Sequence, residues 1–278
     1  MSVAGVDVSD YQGAVDWPAV AAAGVRFAIA KATEGADFVA ETFARNWAGI
    51  QAAGLVRGAY HYFRPLVDPQ IQAEHLLATV APGPDDLPPA LDVEVRDGVD
   101  APTLVQRMQR WLDAVEAAMG RKPMIYASPS FLDGLGSARG FSEYPLWIAD
   151  YGRSAPIIPR GWSTYTLWQY TSGGSVRGIN GPVDLNIFNG SPEDLAAFVA
   201  TGRPPSGGGA GDAFISEGDA GPEVEEIQSR LRAKGFDPGP ADGVFGPETR
   251  AAVIAFQGAT NLVVDGIVGP QTLAALRG

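Results

Sequence analysis

Between Gly5 and Phe188 the chain repeats one unit: a short apolar run, then turn residues or a helical pattern, then another run. The runs that read as strands are Gly5–Ser9, Phe27–Thr33, Arg57–Phe63, Ala90–Val95, Met124–Ser128, Leu146–Tyr151, Thr166–Thr171 and Val183–Phe188. Helical patterns fill several gaps, at Pro18–Ala23, Phe43–Ala53, Pro69–Thr79 and Thr103–Met119. The last of these sets Leu104, Met108, Leu112 and Val115 on one stripe, the mark of a helix buried along one face. Strands that alternate with helices bury both faces of a sheet when the helices wrap a mostly parallel one. About eight strands in roughly 200 residues predict an α/β fold of the (β/α) barrel kind. The later connections are short for crossover helices, so the expected barrel is irregular, open or flattened rather than regular and eightfold.

A boundary follows. Thr201-Gly-Arg-Pro-Pro-Ser-Gly-Gly-Gly-Ala-Gly-Asp212 joins a Pro pair to a Gly run and has nothing apolar to bury, so it reads as a flexible tether. The expected division is a barrel over residues 1–200, a linker over 201–212 and a small all-α, three-helix module over 213–278. Within the module, Asp242-Gly-Val-Phe-Gly-Pro-Glu-Thr249 recurs as Asp265-Gly-Ile-Val-Gly-Pro-Gln-Thr272. In each copy Asp-Gly makes a turn, and Gly-Pro opens a helix with Pro in its first turn. A preceding helix over Pro222–Lys234 carries Val224, Ile227 and Leu231 and stops at Gly235.

Composition removes several function classes. The chain has no Cys, so disulfides, zinc–thiolate sites and cysteine nucleophiles are excluded, and His61 and His75 are its only imidazoles. A formal charge of −12 disfavours nucleic acid as a partner. No apolar run is long enough to span a membrane, and the Met-Ser-Val-Ala-Gly-Val-Asp start lacks the layout of a signal peptide.

Barrel enzymes build their sites at the C-terminal ends of the strands. Asp7, Glu34, Asp92, Glu94, Asp150 and Asp184 all fall in or just after a strand. Any one of them could cap a helix or pair with a cation, as Glu34 could with Lys31. Their recurrence on so many strands favours chemistry. In Leu91-Asp-Val-Glu-Val95, Asp92 and Glu94 alternate with apolar residues and point to one face. Like charges side by side force one carboxyl toward its protonated form, which is what a general acid needs. Glycosidic cleavage requires such an acid together with a group that stabilises charge at the anomeric carbon. A Ca²⁺ or Mg²⁺ site is the lesser alternative, since no segment has calcium-loop spacing; no metal or cofactor is expected. Tyr11, Tyr60, Tyr62, Phe63, Tyr126, Trp147, Tyr151, Trp168 and Tyr170 lie around these acids. Aromatic faces beside carboxylates suit a sugar, and Trp147 and Trp168 are the favoured contacts among rings of which half or more serve the core.

Gly5-Val-Asp-Val-Ser-Asp-Tyr-Gln-Gly13, Lys31-Ala-Thr-Glu-Gly35, Gly58-Ala-Tyr-His-Tyr-Phe63, Leu91-Asp-Val-Glu94, Trp147-Ile-Ala-Asp-Tyr151, Trp168-Gln-Tyr170 and Val183-Asp-Leu-Asn186 together resemble glycoside hydrolase family 25, the Chalaropsis-type lysozymes. The doubled Asp-Gly-x-x-Gly-Pro-x-Thr is similar to the peptidoglycan-binding domain type 1. The first resemblance implies a retaining N-acetylmuramidase acting on the β-1,4 bond between N-acetylmuramic acid and N-acetylglucosamine. It assigns Glu94 as general acid/base, Asp92 as the residue orienting the 2-acetamido group, and Asp7 and Asp184 as further groove acids. Tyr62, Glu34, Tyr126, Trp147, Asp150 and Trp168 are the expected substrate-binding residues. Ala30 and Ala40 depart from the family pattern without touching the acids. The implied partner is bacterial peptidoglycan, with no nucleic acid or membrane, and the chain is expected to be a monomer. A phage endolysin, held in the host cytoplasm and then released to the wall, fits this reading. A catalytically silent wall-binding protein and a hydrolase of a related aminosugar glycan such as chitin stay open.

Overall fold

The computed structural model describes residues 3–136, 138–205 and 214–278; most of the Gly run of the expected linker lies outside the described residues. The strands are β1 (Val3–Val8), β2 (Phe27–Glu34), β3 (Phe38–Val39), β4 (Val56–Tyr62), β5 (Ala90–Asp92), β6 (Met124–Ala127), β7 (Leu146–Ala149), β8 (Leu167–Gly174) and β9 (Val183–Phe188). The helices are α1 (Trp17–Ala22), α2 (Phe43–Ala52), α3 (Pro69–Thr79), α4 (Ala101–Met119), α5 (Pro129–Asp133) and α6 (Pro192–Thr201), then α7 (Pro222–Ala233), α8 (Pro247–Ala259) and α9 (Pro270–Arg277).

The strand order is β1-β9-β8-β7-β6-β5-β4-β2-β3, and β1 also pairs with β2. The sheet therefore closes on itself as an eight-stranded barrel, with two-residue β3 appended to β2. Of the two expected forms, open or flattened, closure excludes the open one. Residues 175–182 between β8 and β9 are too few for a helical crossover, so β9 runs antiparallel to both β8 and β1. The short connection that argues for an open sheet instead supplies the closing strand with its direction reversed. The irregular barrel that the sequence predicts is thus present, in its closed form.

Two apolar layers hold the barrel. Phe27, Ile29, Ala90, Met124, Leu167 and Phe188 fill the interior. Gly5 makes room for this filling: a Cβ there would sit 2.2 Å from the Phe27 ring. Leu91 and Val93 face outward instead, into the layer shared with the helices. There α4 buries the stripe Leu104, Met108, Leu112 and Val115 together with Trp111. Asp100 caps the start of α4 by accepting from the Thr103 amide, and Gly120 ends it in the left-handed region at φ 69°.

In the module, the doubled motif acquires a physical meaning. The Gln228 side-chain amide donates to Asp242, to the Val244 carbonyl and to Thr249. Gln257 does the same to Asp265, Ile267 and Thr272. Each Gln also accepts from the amide of Gly243 or Gly266, which turn at φ 73° and 75°. One buried amide thus pins each turn to the helix that precedes it, and the Asp and Thr of the motif are its acceptors.

The module also lies against the barrel. Tyr170 on β8 donates its hydroxyl to Asp265 at 2.7 Å, and Phe214 packs on the rings of Trp168 and Tyr170. Ser175 and Val264 exchange backbone hydrogen bonds of 3.1 and 3.0 Å. Phe214 and Val263 belong to the barrel's outer apolar layer.

Candidate active site

The strands deliver their functional side chains to one mouth. Asp7 is near the end of β1, Tyr60 and Tyr62 end β4, Asp92 ends β5, Tyr126 is on β6, Trp147 on β7 and Gln169 on β8. Asp184 is near the start of β9, and because β9 is antiparallel its start meets the other strands' ends. Asp7 and Asp184 are direct cross-strand partners. All of these except Tyr62, together with Glu94 and Tyr151, line a cavity of about 230 Å³. All four predicted catalytic acids, Asp7, Asp92, Glu94 and Asp184, are therefore brought together.

The strand β5 is shorter than its sequence suggests. It ends at Asp92, and Glu94 stands beyond it, exposed at the mouth, while Asp92 is only 4% exposed. Burial, and then the charge of Glu94, push the Asp92 carboxyl well above the usual carboxylate range, and the two side chains are hydrogen-bonded. Protonated Asp92 is the donor in that bond. Its other oxygen, Oδ1, is buried and has no hydrogen-bond partner among the described residues. The carboxyl that the local field keeps protonated is thus Asp92, beside an exposed Glu94.

Asp7 is held from below. Gln169 Nε2 and Asn186 Nδ2 both donate to Asp7 Oδ2 at 2.7 Å. Asn186 in turn accepts from the Trp147 indole N–H at 2.7 Å, and Gln169 Oε1 accepts from the hydroxyls of Tyr126 and Tyr151. Burial, and then Asp184, push Asp7 up to about 8. Burial, and then Glu94, push Asp184 up to about 6. At neutral pH the cleft consequently carries fewer negative charges than its four carboxyls would suggest.

The predicted substrate-binding residues divide. Tyr126 and Trp147 line the cleft. Tyr62 stands beside it, its hydroxyl pushed up to about 12 by burial and then by Glu94 and Asp92. Glu34 works at one remove: it pairs with Lys31 at 2.6 Å and Arg64 at 2.5 Å, and both cations lie over the Tyr62 ring, at 5.2 and 4.9 Å. Asp150 lines an adjoining cavity. Trp168 does not reach the cleft. Its ring is buried on the outer side against Phe214 and Tyr165, with the indole N–H donated to the Asp150 carbonyl. Strand alternation explains this, because Gln169 takes the inward position and leaves its neighbours Trp168 and Tyr170 facing out.

Sequence reasoning gives Gln169 and Asn186 no role in the site, and places Tyr60 and Tyr151 only among the surrounding rings. Asn186 carries a usable signal, since it lies two residues after Asp184 on one strand and so shares its face. Gln169 carries none, because its register with Asn186 is a cross-strand fact.

Residues 6–179 match the family model for Glycosyl hydrolases family 25, and residues 220–276 match a peptidoglycan binding domain. The chain is 37% identical over 209 residues to lysozyme M1 of Streptomyces globisporus, covering 71% of each protein. It is 34% identical over 276 residues to the autolytic lysozyme of Clostridium acetobutylicum, covering 98% of this chain and 78% of that protein. Among solved structures, the bacterial lysozyme of Streptomyces coelicolor has a TM-score of 0.69 at 34% identity, covering 72% of this chain and 98% of that one.

Proposed function

Since this chain belongs to glycosyl hydrolases family 25, we propose that it is a muramidase: it hydrolyses the β-1,4 bond between N-acetylmuramic acid and N-acetylglucosamine in peptidoglycan. The observation that carries this reading is the pair formed by buried, protonated Asp92 and exposed Glu94 at the mouth of a closed barrel. A proton shared by the pair is available to Glu94, which is the member exposed to a bound glycan and donates it to the leaving glycosidic oxygen. The unpartnered Oδ1 of Asp92 accepts the N–H of the sugar's 2-acetamido group and fixes that group beside the anomeric carbon. The C1–O bond breaks with its electrons going to the leaving oxygen, and leaves a cation-like sugar beside the 2-acetamido group; water then adds to the anomeric carbon from the side that the leaving group vacated and gives its proton to the Glu94 carboxylate, so the configuration is retained. Asp7 and Asp184 flank the site from β1 and β9, where residual charge opposes the positive charge that develops on the sugar.

The match of residues 220–276 makes the module a wall-binding element, which raises the local concentration of an insoluble substrate. The cleft is complete within one chain, in keeping with action as a monomer. An endolysin-type route, with accumulation in a host cytoplasm before release to the wall, fits a wall-cutting barrel joined to such a module.

The test is digestion of purified peptidoglycan by the native chain and by Glu94→Gln, with new reducing ends identified by mass spectrometry. Muramic-acid reducing ends from the first and almost none from the second are expected. Glucosamine reducing ends, cleaved amides, or release of chitin fragments in place of muropeptides would refute the assignment.

A further inference from the structure

The catalytic cleft adjoins a second cavity, of about 460 Å³, which shares Glu94, Tyr126 and Tyr151 with it. The two are lined differently. Four carboxyls dominate the first, whereas the second adds the hydroxyl-bearing Ser128 and Ser130, apolar Ile157, and Arg153. Arg153 is the one cation among the described residues that line either cavity.

Its position is built. Asp150, only 14% exposed, accepts from the Ile157 amide at 2.8 Å and pairs with Arg153 Nε at 3.3 Å. This ion pair orients the guanidinium through its Nε edge, and its terminal amino groups make no hydrogen bond to the described residues. The side chain remains half exposed. A planar guanidinium held along one edge presents a donor geometry that matches a carboxylate.

The surroundings give this cation a purpose. The chain carries a net charge of −12, and the cleft beside it is lined by four acids whose charge protonation removes only in part, so an anion approaching that side of the glycan site meets repulsion. Arg153 relieves that repulsion at one point, next to the acid that faces the scissile bond. We propose that Arg153 is a specificity-determining residue that receives a carboxylate carried on the glycan, supplied by the lactyl ether of muramic acid or by the peptide attached there. The inference rests on the muramidase reading and deepens it: the second cavity selects for the charged substituent that separates peptidoglycan from plain aminosugar polymers.

Binding to the full chain carrying Glu94→Gln tests this without turnover. Three soluble oligomers serve as probes: one with free lactyl carboxylates, the same oligomer with those carboxylates blocked as methyl amides, and one bearing stem peptides. Adding Arg153→Ala should weaken binding of a carboxylate-bearing probe about tenfold, equivalent to about 1.4 kcal/mol. It should change binding of the blocked oligomer less than twofold. Arg153→Lys, which keeps the charge and loses the fork, should fall between. Weakening confined to the free lactyl probe or to the peptide probe identifies the source of the carboxylate. Equal weakening of all three probes, or of none, overturns the role of Arg153. A native chain that cleaves no muramyl oligomer at all would sink the muramidase reading itself, and is thus distinguishable from failure of the Arg153 inference alone.

Discussion

Replacing Asp7 by Asn should make the protein's stability much less dependent on pH. Asp7 is 5% exposed, and its carboxyl is pushed from 3.8 up to about 8 by burial and by Asp184. The folded chain therefore binds a proton that the unfolded chain has already released across the interval between those values. Where the native state holds more protons, stability falls as pH rises. The stabilising contribution of protonated Asp7 is complete below about pH 4 and is lost as pH rises through about 8. A proton held only by the folded chain costs it about 1.4 kcal/mol for every pH unit climbed, so going from about pH 5 to about pH 8 should cost the native state several kcal/mol, roughly 3 to 4, through Asp7 alone. Asn has nearly the same shape and cannot ionise. Its carbonyl can accept from Gln169 and Asn186, as Asp7 Oδ2 does at 2.7 Å, and its amide can donate to Asp184. Urea unfolding of both proteins at several pH values, followed by tryptophan fluorescence, reads the effect. The native chain should weaken steadily from about pH 5 to pH 8, and Asp7→Asn should recover most of that loss at the upper end while being near neutral at the lower. A stability difference between the two proteins that stays constant over this range would refute the reasoning.

Three further outcomes are expected. His61 is buried between Thr33 and Gln72 and its pKa is lowered to about 4 by burial, so it should stay neutral down to mildly acidic pH, and its own contribution to stability should be lost as pH drops from about 6.5 toward about 4, opposing the trend set by Asp7; His61 imidazole NMR shifts that titrate near 6.5 would show this wrong. Tyr170→Phe removes the donor to Asp265 across the barrel–module contact, and should cost about 1–2 kcal/mol, while deletion of residues 213–278 should bare Trp168 and Tyr170 and lower the barrel's melting temperature; calorimetry showing an unchanged barrel transition in both variants would mean that the module is only tethered.

Much of this protein follows from local rules. Alternation along Leu91-Asp-Val-Glu-Val95 was enough to send Leu91 and Val93 outward and Asp92 inward, because a strand's side chains alternate wherever the strand lies. The stripe on α4 and the Asp-Gly and Gly-Pro punctuation of the module were legible for the same reason: each depends on residues a few positions apart. What needed the tertiary structure was every property set by neighbours from distant parts of the chain. Closure of the barrel depends on β9 reaching β1, and the outward burial of Trp168 and Tyr170 depends on a module some 95 residues further along being there to cover them. Strand alternation by itself treats Asp92 and Glu94 alike, and only the family resemblance tells them apart in sequence. The end of β5 at Asp92, with burial on one side of it and solvent on the other, decides which carboxyl is driven toward its protonated form and which stands exposed at the mouth, since a carboxyl's charge is fixed by how much water and how many like charges surround it.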